Sequence, residues 1–162
     1  MMRRSLTAGE LALVHSVFGD AVDGSKVELV RGKFWPFHPP RVAMAPMGDI
    51  YFHPDGGGWS EDFSKESLAA QGFFIHEMTH VWQYRAYGVA AFLLRYAWEF
   101  LRAGGRAGLM YRYSVGKTPF HAATLEAQAE MAADYGEAVR TGGGGRARLL
   151  AANLAGSGLY GL

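Results

Sequence analysis

The sequence predicts a single α+β domain, a small antiparallel sheet packed on a helical core that is built around one metal-binding helix. Three observations carry this reading. His76-Glu77-Met78-Thr79-His80 lies inside a run of helical character bounded by serine and glycine. Two short β-rich segments flank the turn Pro46-Met47-Gly48-Asp49 just upstream. In a later helical segment Glu126, Glu130 and Asp134 recur every four residues, so carboxylates line one helix face.

The central helix is expected to start at a Ser64 cap and to run through Leu68, Phe73, Phe74, Ile75, Met78, Val81, Trp82 and Tyr84 to Gly88, where a left-handed stop is easiest. Gly72 is its weak point. Apolar residues occupy most of its circumference, which predicts burial on nearly all sides. His76, Glu77 and His80 therefore need partners, because an unpaired buried polar group is costly.

Upstream, Thr7-Ala8-Gly9-Glu10 has the spacing of a capping box, and Leu11, Val14, Val17 and Phe18 continue it as a short helix. Val27 to Val30 reads as a strand, Gly32 to Pro40 as a loop rich in proline and aromatics, and Arg41 to Phe52 as a hairpin of two strands. Such a hairpin beside a metal helix offers an edge for an extended peptide, or simply packs on the helix. His53 to Trp59 is a glycine-rich solvated loop. Downstream, a second helix is expected from Val89 to Ala103, and Leu125 to Arg140 forms the acidic-striped helix, capped by Thr118 or Thr124. Ala127, Ala129, Ala132 and Ala133 permit close approach of another helix. The domain is read as residues 1–140, followed by a Gly-rich linker and C-terminal tail at 141–162 that docks or stays mobile.

Composition excludes several classes. The 162 residues carry a net charge of +1, so no strong field draws the chain to nucleic acid. Without cysteine there is neither a disulfide framework nor a thiolate metal site, and any zinc must use histidine and carboxylate. Arg95, Glu99 and Arg102 interrupt the best apolar run, so no membrane span is expected. Arg3-Arg4-Ser5-Leu6 faintly resembles a twin-arginine export signal, but Glu10, His15 and Asp20 break the apolar stretch that must follow. The mature protein is expected to start here and to be cytoplasmic as synthesised, with export by a secretion system left open. Charge is unevenly spread. Arg85 to Lys117 holds six basic residues against Glu99 alone, whereas Pro119 to Val139 holds Glu126, Glu130, Asp134 and Glu137 with no lysine or arginine. The basic segment reads as a solvated face over an aromatic core, with a phosphate- or membrane-binding module as a second reading.

On a helix, His76 and His80 stand on one face and can share a Zn²⁺ ion, and Glu77 can reach a metal-activated water as general base. The third ligand separates the classes. The metzincin pattern demands a glycine and a third histidine after the motif, and Gln83 and Ala86 occupy those places. The gluzincin pattern takes a Glu from a later helix, with an acidic residue four further on that orients a ligand histidine. Glu126 with Glu130 fits, and so does Glu130 with Asp134. Tyr113, His121 and Tyr135 are candidate oxyanion donors. A non-catalytic module with a closed or absent zinc site is the alternative, and closure would need a fourth ligand such as His53 or His121.

These motifs resemble a Vgr-related bacterial family of minimal gluzincin-like zinc metallopeptidase domains. The resemblance runs from Leu6-Thr7-Ala8-Gly9-Glu10 and Val17-Phe18-Gly19-Asp20-Ala21 through Pro46 to Phe52 and Asp62-Phe63-Ser64. It continues at Phe74 to Gln83, at Leu125 to Glu130, and at Asp134-Tyr135. It implies a zincin-like fold, zinc as cofactor, hydrolysis of a peptide or protein substrate, and a link to type VI secretion. The Glu of the family's E-x-Q-A segment looks like the metal ligand, which favours Glu126. Glu130 replaces the Asp that related gluzincins often carry beyond it.

Overall fold

Residues 1–162 are all described by the computed structural model. The first elements form where short β-branched or basic stretches meet a capped helix. Strand β1 (Met2–Ser5) leads into helix α1 (Ala8–Phe18), whose start is a complete capping box between Thr7 and Glu10. Strands β2 (Glu28–Arg31), β3 (Ala43–Met44) and β4 (Ile50–Phe52) follow. The fold is α+β, as expected, but the sheet is mixed rather than wholly antiparallel, with order β1-β2-β4-β3. β3 and β4 pair antiparallel as the predicted hairpin, and β2 and β4 run parallel in the register Leu29↔Ile50. The physical reason is the loop at 32–42. It carries the chain past the position beside β2, so β3 lands on the edge and β4 returns between them. β1, a strand the sequence did not announce, pairs antiparallel with β2, with Arg3 bonded to Glu28 at 2.7 Å.

One buried ion pair ties this sheet end to α1. The fully buried Glu10 carboxylate takes two bonds from Arg4, at 2.7 and 2.8 Å, and accepts from the amides of Thr7 and Phe63, each at 2.8 Å. Burial opposes its charge, but Arg4 and the two amides outweigh burial and hold the carboxyl below the usual range. Glu10→Gln is expected to cost about 3 kcal/mol at neutral pH, because it strands the Arg4 charge. A depressed folded pKa means that Glu10's contribution is present above the unfolded value and is lost as pH falls through the folded one. Urea melts of both proteins at pH 7 and under acid should therefore converge at low pH; a constant difference would refute this.

Helix α2 (Leu68–Tyr87) starts one turn later than the sequence implied. Ser67 is its cap, because Asp62 claims Ser64 for a 3₁₀ turn at Phe63–Lys65. It ends at Gly88, whose φ of 80° is open to glycine at little cost. From Phe74 to Val81 every residue is buried, with Phe74, Phe63 and Phe52 stacked in series at 5.1 and 5.6 Å. Helix α3 (Val89–Arg102) and the short α4 (Ala107–Met110) form an excursion before α5 (Leu125–Arg140), capped by Thr124. α5 lies directly against α2. Gly136 on α5 leaves room for the tail: a Cβ there would sit 2.6 Å from the Tyr160 hydroxyl, and 3.3 Å from Ile75 Cδ1 of α2.

The tail is docked. Helix α6 (Gly144–Leu154) buries Leu150, Asn153 and Leu154, and Leu159 enters the main core. The Asn153 amide holds the 114–118 loop through Gly116 N, Ser114 O and Thr118 O, and Tyr160 donates to Ala132 O at 2.7 Å. No helix is long and apolar enough to cross a membrane.

Candidate metal centre

The site lies where α2 meets the first turn of α5. His76 and His80 are both buried on the side of α2 that faces α5. Opposite them, the Thr124 cap places Glu126 in the first helical turn, where its carboxylate is also favoured by the helix dipole. His76 Nε2 lies 3.1 Å from Glu126 Oε2, His80 Nε2 lies 3.2 Å from the same oxygen, and the two nitrogens are 3.2 Å apart. These three atoms form a near-equilateral triangle.

The outer nitrogens decide what the triangle is. Gln83 Nε2 donates to Leu125 O at 2.9 Å and to Gln128 Oε1 at 3.0 Å, and Gln128 in turn donates to Phe120 O. A backbone carbonyl only accepts, so the Gln83 amide is oriented with Oε1 toward His80. His80 Nδ1 must then carry the proton of their 2.8 Å bond. His76 Nδ1 donates likewise to Glu130 Oε2 at 3.1 Å. With both Nδ1 atoms protonated, each ring in its neutral form aims an Nε2 lone pair at the Glu126 oxygen, and in its charged form an Nε2–H. Three acceptors that close repel one another unless positive charge sits among them. Tetrahedral Zn²⁺ with bonds of about 2.0–2.1 Å needs donor separations of about 3.3–3.4 Å, close to those observed. His76, His80 and Glu126 are the one His/Asp/Glu group that could hold a metal ion.

The electrostatics call for the same positive charge, whether as ring protons or as a cation. Burial disfavours a charged His76, but Glu126 and Glu130 outweigh it and push its pKa up to about 10; His80 is raised in the same way, chiefly by Glu126. Glu126 is driven far below the carboxylate range against its burial. Glu77, also buried, moves the other way, because burial dominates the pull of the two histidines. The whole group opens on a cleft of about 650 Å³ that includes edge strand β3 in its rim.

No family model matches the chain. It is 41% identical over 135 residues to the type VI secretion system spike protein VgrG2b of Pseudomonas aeruginosa, in an alignment covering 82% of this chain and 13% of that protein. The chain thus spans only a small part of that relative's length. The solved effector domain of P. aeruginosa VgrG2b superposes with a TM-score of 0.75 at 35% identity, over 94% of this chain and 82% of that one. This chain belongs to the VgrG2b effector-domain family.

Within this VgrG2b-type domain the other sequence candidates fall as follows. Glu130 stands behind His76 rather than in the triangle, and Asp134 bonds Tyr113 and pairs with Arg146 at 3.4 Å. Tyr113 is thereby committed, His121 bonds Gly156 O at 3.1 Å, and Tyr135 packs on Tyr160; none of the three lines the cleft. His53 packs against His38 and accepts from Asp55 N, outside the ligand group. Two tyrosines that the sequence reading passed over do line it. Tyr111 stacks on His76 at 5.6 Å and 15°, and Tyr96 lies nearby on α3. Burial and the Glu126 charge push Tyr96 up to about 12 and Tyr111 higher still, so both hydroxyls remain donors. Gln83, noted only as the residue that excludes a metzincin, turns out to orient His80. Gln83→Leu is expected to weaken zinc affinity about 10–100-fold without unfolding the helix, measured by chelator competition; unchanged affinity would remove Gln83 from the site.

Proposed function

We propose that this domain is a zinc-dependent metallopeptidase of the gluzincin type, with His76, His80 and Glu126 as ligands and Glu77 as catalytic base. The observation that supports it most is the convergence of His76 Nε2, His80 Nε2 and Glu126 Oε2 at 3.1–3.2 Å, with each ring's Nδ1 engaged by its own outer partner so that both Nε2 atoms face the shared oxygen. A bound Zn²⁺ would supply a Lewis acid for the scissile carbonyl and lower the pKa of water to near neutrality. Glu77 follows the first ligand on the same helix and lines the cleft, within reach of an attacking water. Its raised pKa suits it to take the proton from that water and return it to the departing amine. Tyr111 and Tyr96 line the cleft, and their hydroxyls would donate to the carbonyl oxygen as it gains charge. Ala43 and Met44 of β3 leave their outer backbone groups unpaired beside this site, which suits an extended peptide.

The relationship to a type VI secretion system spike protein and to the VgrG2b effector domain supports delivery of this domain as cargo of such a spike. The deciding experiment combines elemental analysis of protein purified without a metal-affinity tag with cleavage of a peptide library. About one zinc per chain, and hydrolysis abolished by chelation and restored by zinc, are expected. Absence of metal even after dialysis against zinc would end this reading.

A further inference from the structure

Helix α3 is built inside out. Its inward side carries buried Phe92, together with Tyr96 and the ion pair Arg95–Glu99 at 2.8 Å. Arg95 also donates to Ala123 O at 2.7 Å, and Glu99 accepts from Leu125 N at 2.8 Å, so the polar residues of the helix serve as ties to α5. Its outer side carries Leu94, Trp98 and Leu101, spaced four and three apart, and exposed by 74, 62 and 71%. Leu93 flanks them. Large apolar residues at this spacing are ordinarily the stripe a helix buries. One cation borders the stripe and two more follow it along the chain. Arg102 lies four residues after Trp98, and Arg106 and Arg112 follow in the next segment, all exposed. Between Arg85 and Lys117 the one ion pair is Arg95–Glu99, so these three arginines have no carboxylate partner.

We infer that this face seats α3 in the plane of an anionic phospholipid bilayer. Leu94 and Leu101 would enter the acyl boundary, Trp98 would lie at headgroup level, and Arg102, Arg106 and Arg112 would meet phosphates. Fourteen helical residues extend about 21 Å, short of the roughly 30 Å hydrocarbon core, so the helix lies on the membrane and does not cross it. A second copy fits the face poorly. A two-fold interface sets the same patch against itself, which would bring the unpaired arginines of both copies together. Phe92 and Tyr96 on the other side of α3 line the cleft, and Leu93 stands between that side and the stripe, so docking brings the cleft mouth to the bilayer surface. The docking holds whether or not the domain cleaves peptides, and its readout is binding alone.

The test is co-sedimentation of the full chain with vesicles of phosphatidylcholine, with and without phosphatidylglycerol. Wild type should pellet with the anionic vesicles and release at high salt. Arg102→Gln and Arg106→Gln should each weaken binding about fivefold. Leu94→Gln/Leu101→Gln should abolish it with an unchanged circular dichroism spectrum, since both side chains are already in solvent. Failure of wild type to bind, or equal binding by the double variant, overturns the inference. So does a wild-type dimer in sedimentation equilibrium that those substitutions dissociate, or preferential binding of an oligonucleotide through the same arginines.

Discussion

Glu77→Gln is expected to keep its zinc and to lose about 10²–10⁴-fold in the rate of peptide hydrolysis. The amide matches the carboxylate in shape and still accepts a hydrogen bond, but it cannot take a proton. Glu77 is no member of the ligand triangle, so the metal count should not move. The carboxyl is buried beside two histidines, and burial raises its pKa, so wild type should show an acid limb governed by this group. Rate should rise with pH as Glu77 ionises, and the variant should lack that limb. Steady-state kinetics on a cleaved library peptide, with elemental analysis on the same sample, checks both halves. A variant as fast as wild type removes Glu77 from the chemistry; a variant that also loses zinc makes Glu77 structural.

What could be read from the sequence follows the range of the interactions involved. His76, Glu77 and His80 are related by one helical turn, so their convergence is a local property of spacing. The third member lies 46 residues beyond His80, and there periodicity ran out. Glu126, Glu130 and Asp134 share one face of α5, and spacing alone allowed two assignments. The crossing point favours the first: Gly72 of α2 meets Ala133 of α5, and the Thr124 cap sets Glu126 opposite the histidines while Glu130 falls behind His76. Tyr96 and Tyr111 could not be found this way, because their approach to Glu126 depends on how α3 and α4 fold back over the cleft. The same excursion inverted the reading of residues 85–117. Arg95 and Glu99 look solvated in sequence, yet they bond to backbone groups near the start of α5 and force the leucines outward. The parallel pairing of β2 and β4 was hidden for a related reason, since only the course of the 32–42 loop decides which edge β3 takes.

Glu126→Ala should abolish stoichiometric zinc binding, whereas Glu130→Ala should retain the ion with affinity lowered about 10–100-fold and Asp134→Ala should bind as wild type. The first removes an acceptor from the triangle, the second removes the group that holds the His76 ring, and the third touches only Tyr113 and Arg146. Thermal melts with and without chelator add a signed test. In the chelated protein the pKa of His76 is about 10 against an ordinary 6.5, because Glu126 and Glu130 overcome burial. A raised folded pKa contributes stability that is complete below the unfolded value and is lost as pH rises toward the folded one. Zinc acts in the opposite sense, since it binds the deprotonated rings and releases protons. The gap between zinc-loaded and chelated melting temperatures should therefore widen from pH 6 to pH 9 in wild type and be absent at both in Glu126→Ala (pH values about one unit or more to either side of neutrality). A gap that is independent of pH would mean that the ion is not held by His76 and His80, and Glu126→Ala with a wild-type gap would return the third position to Glu130.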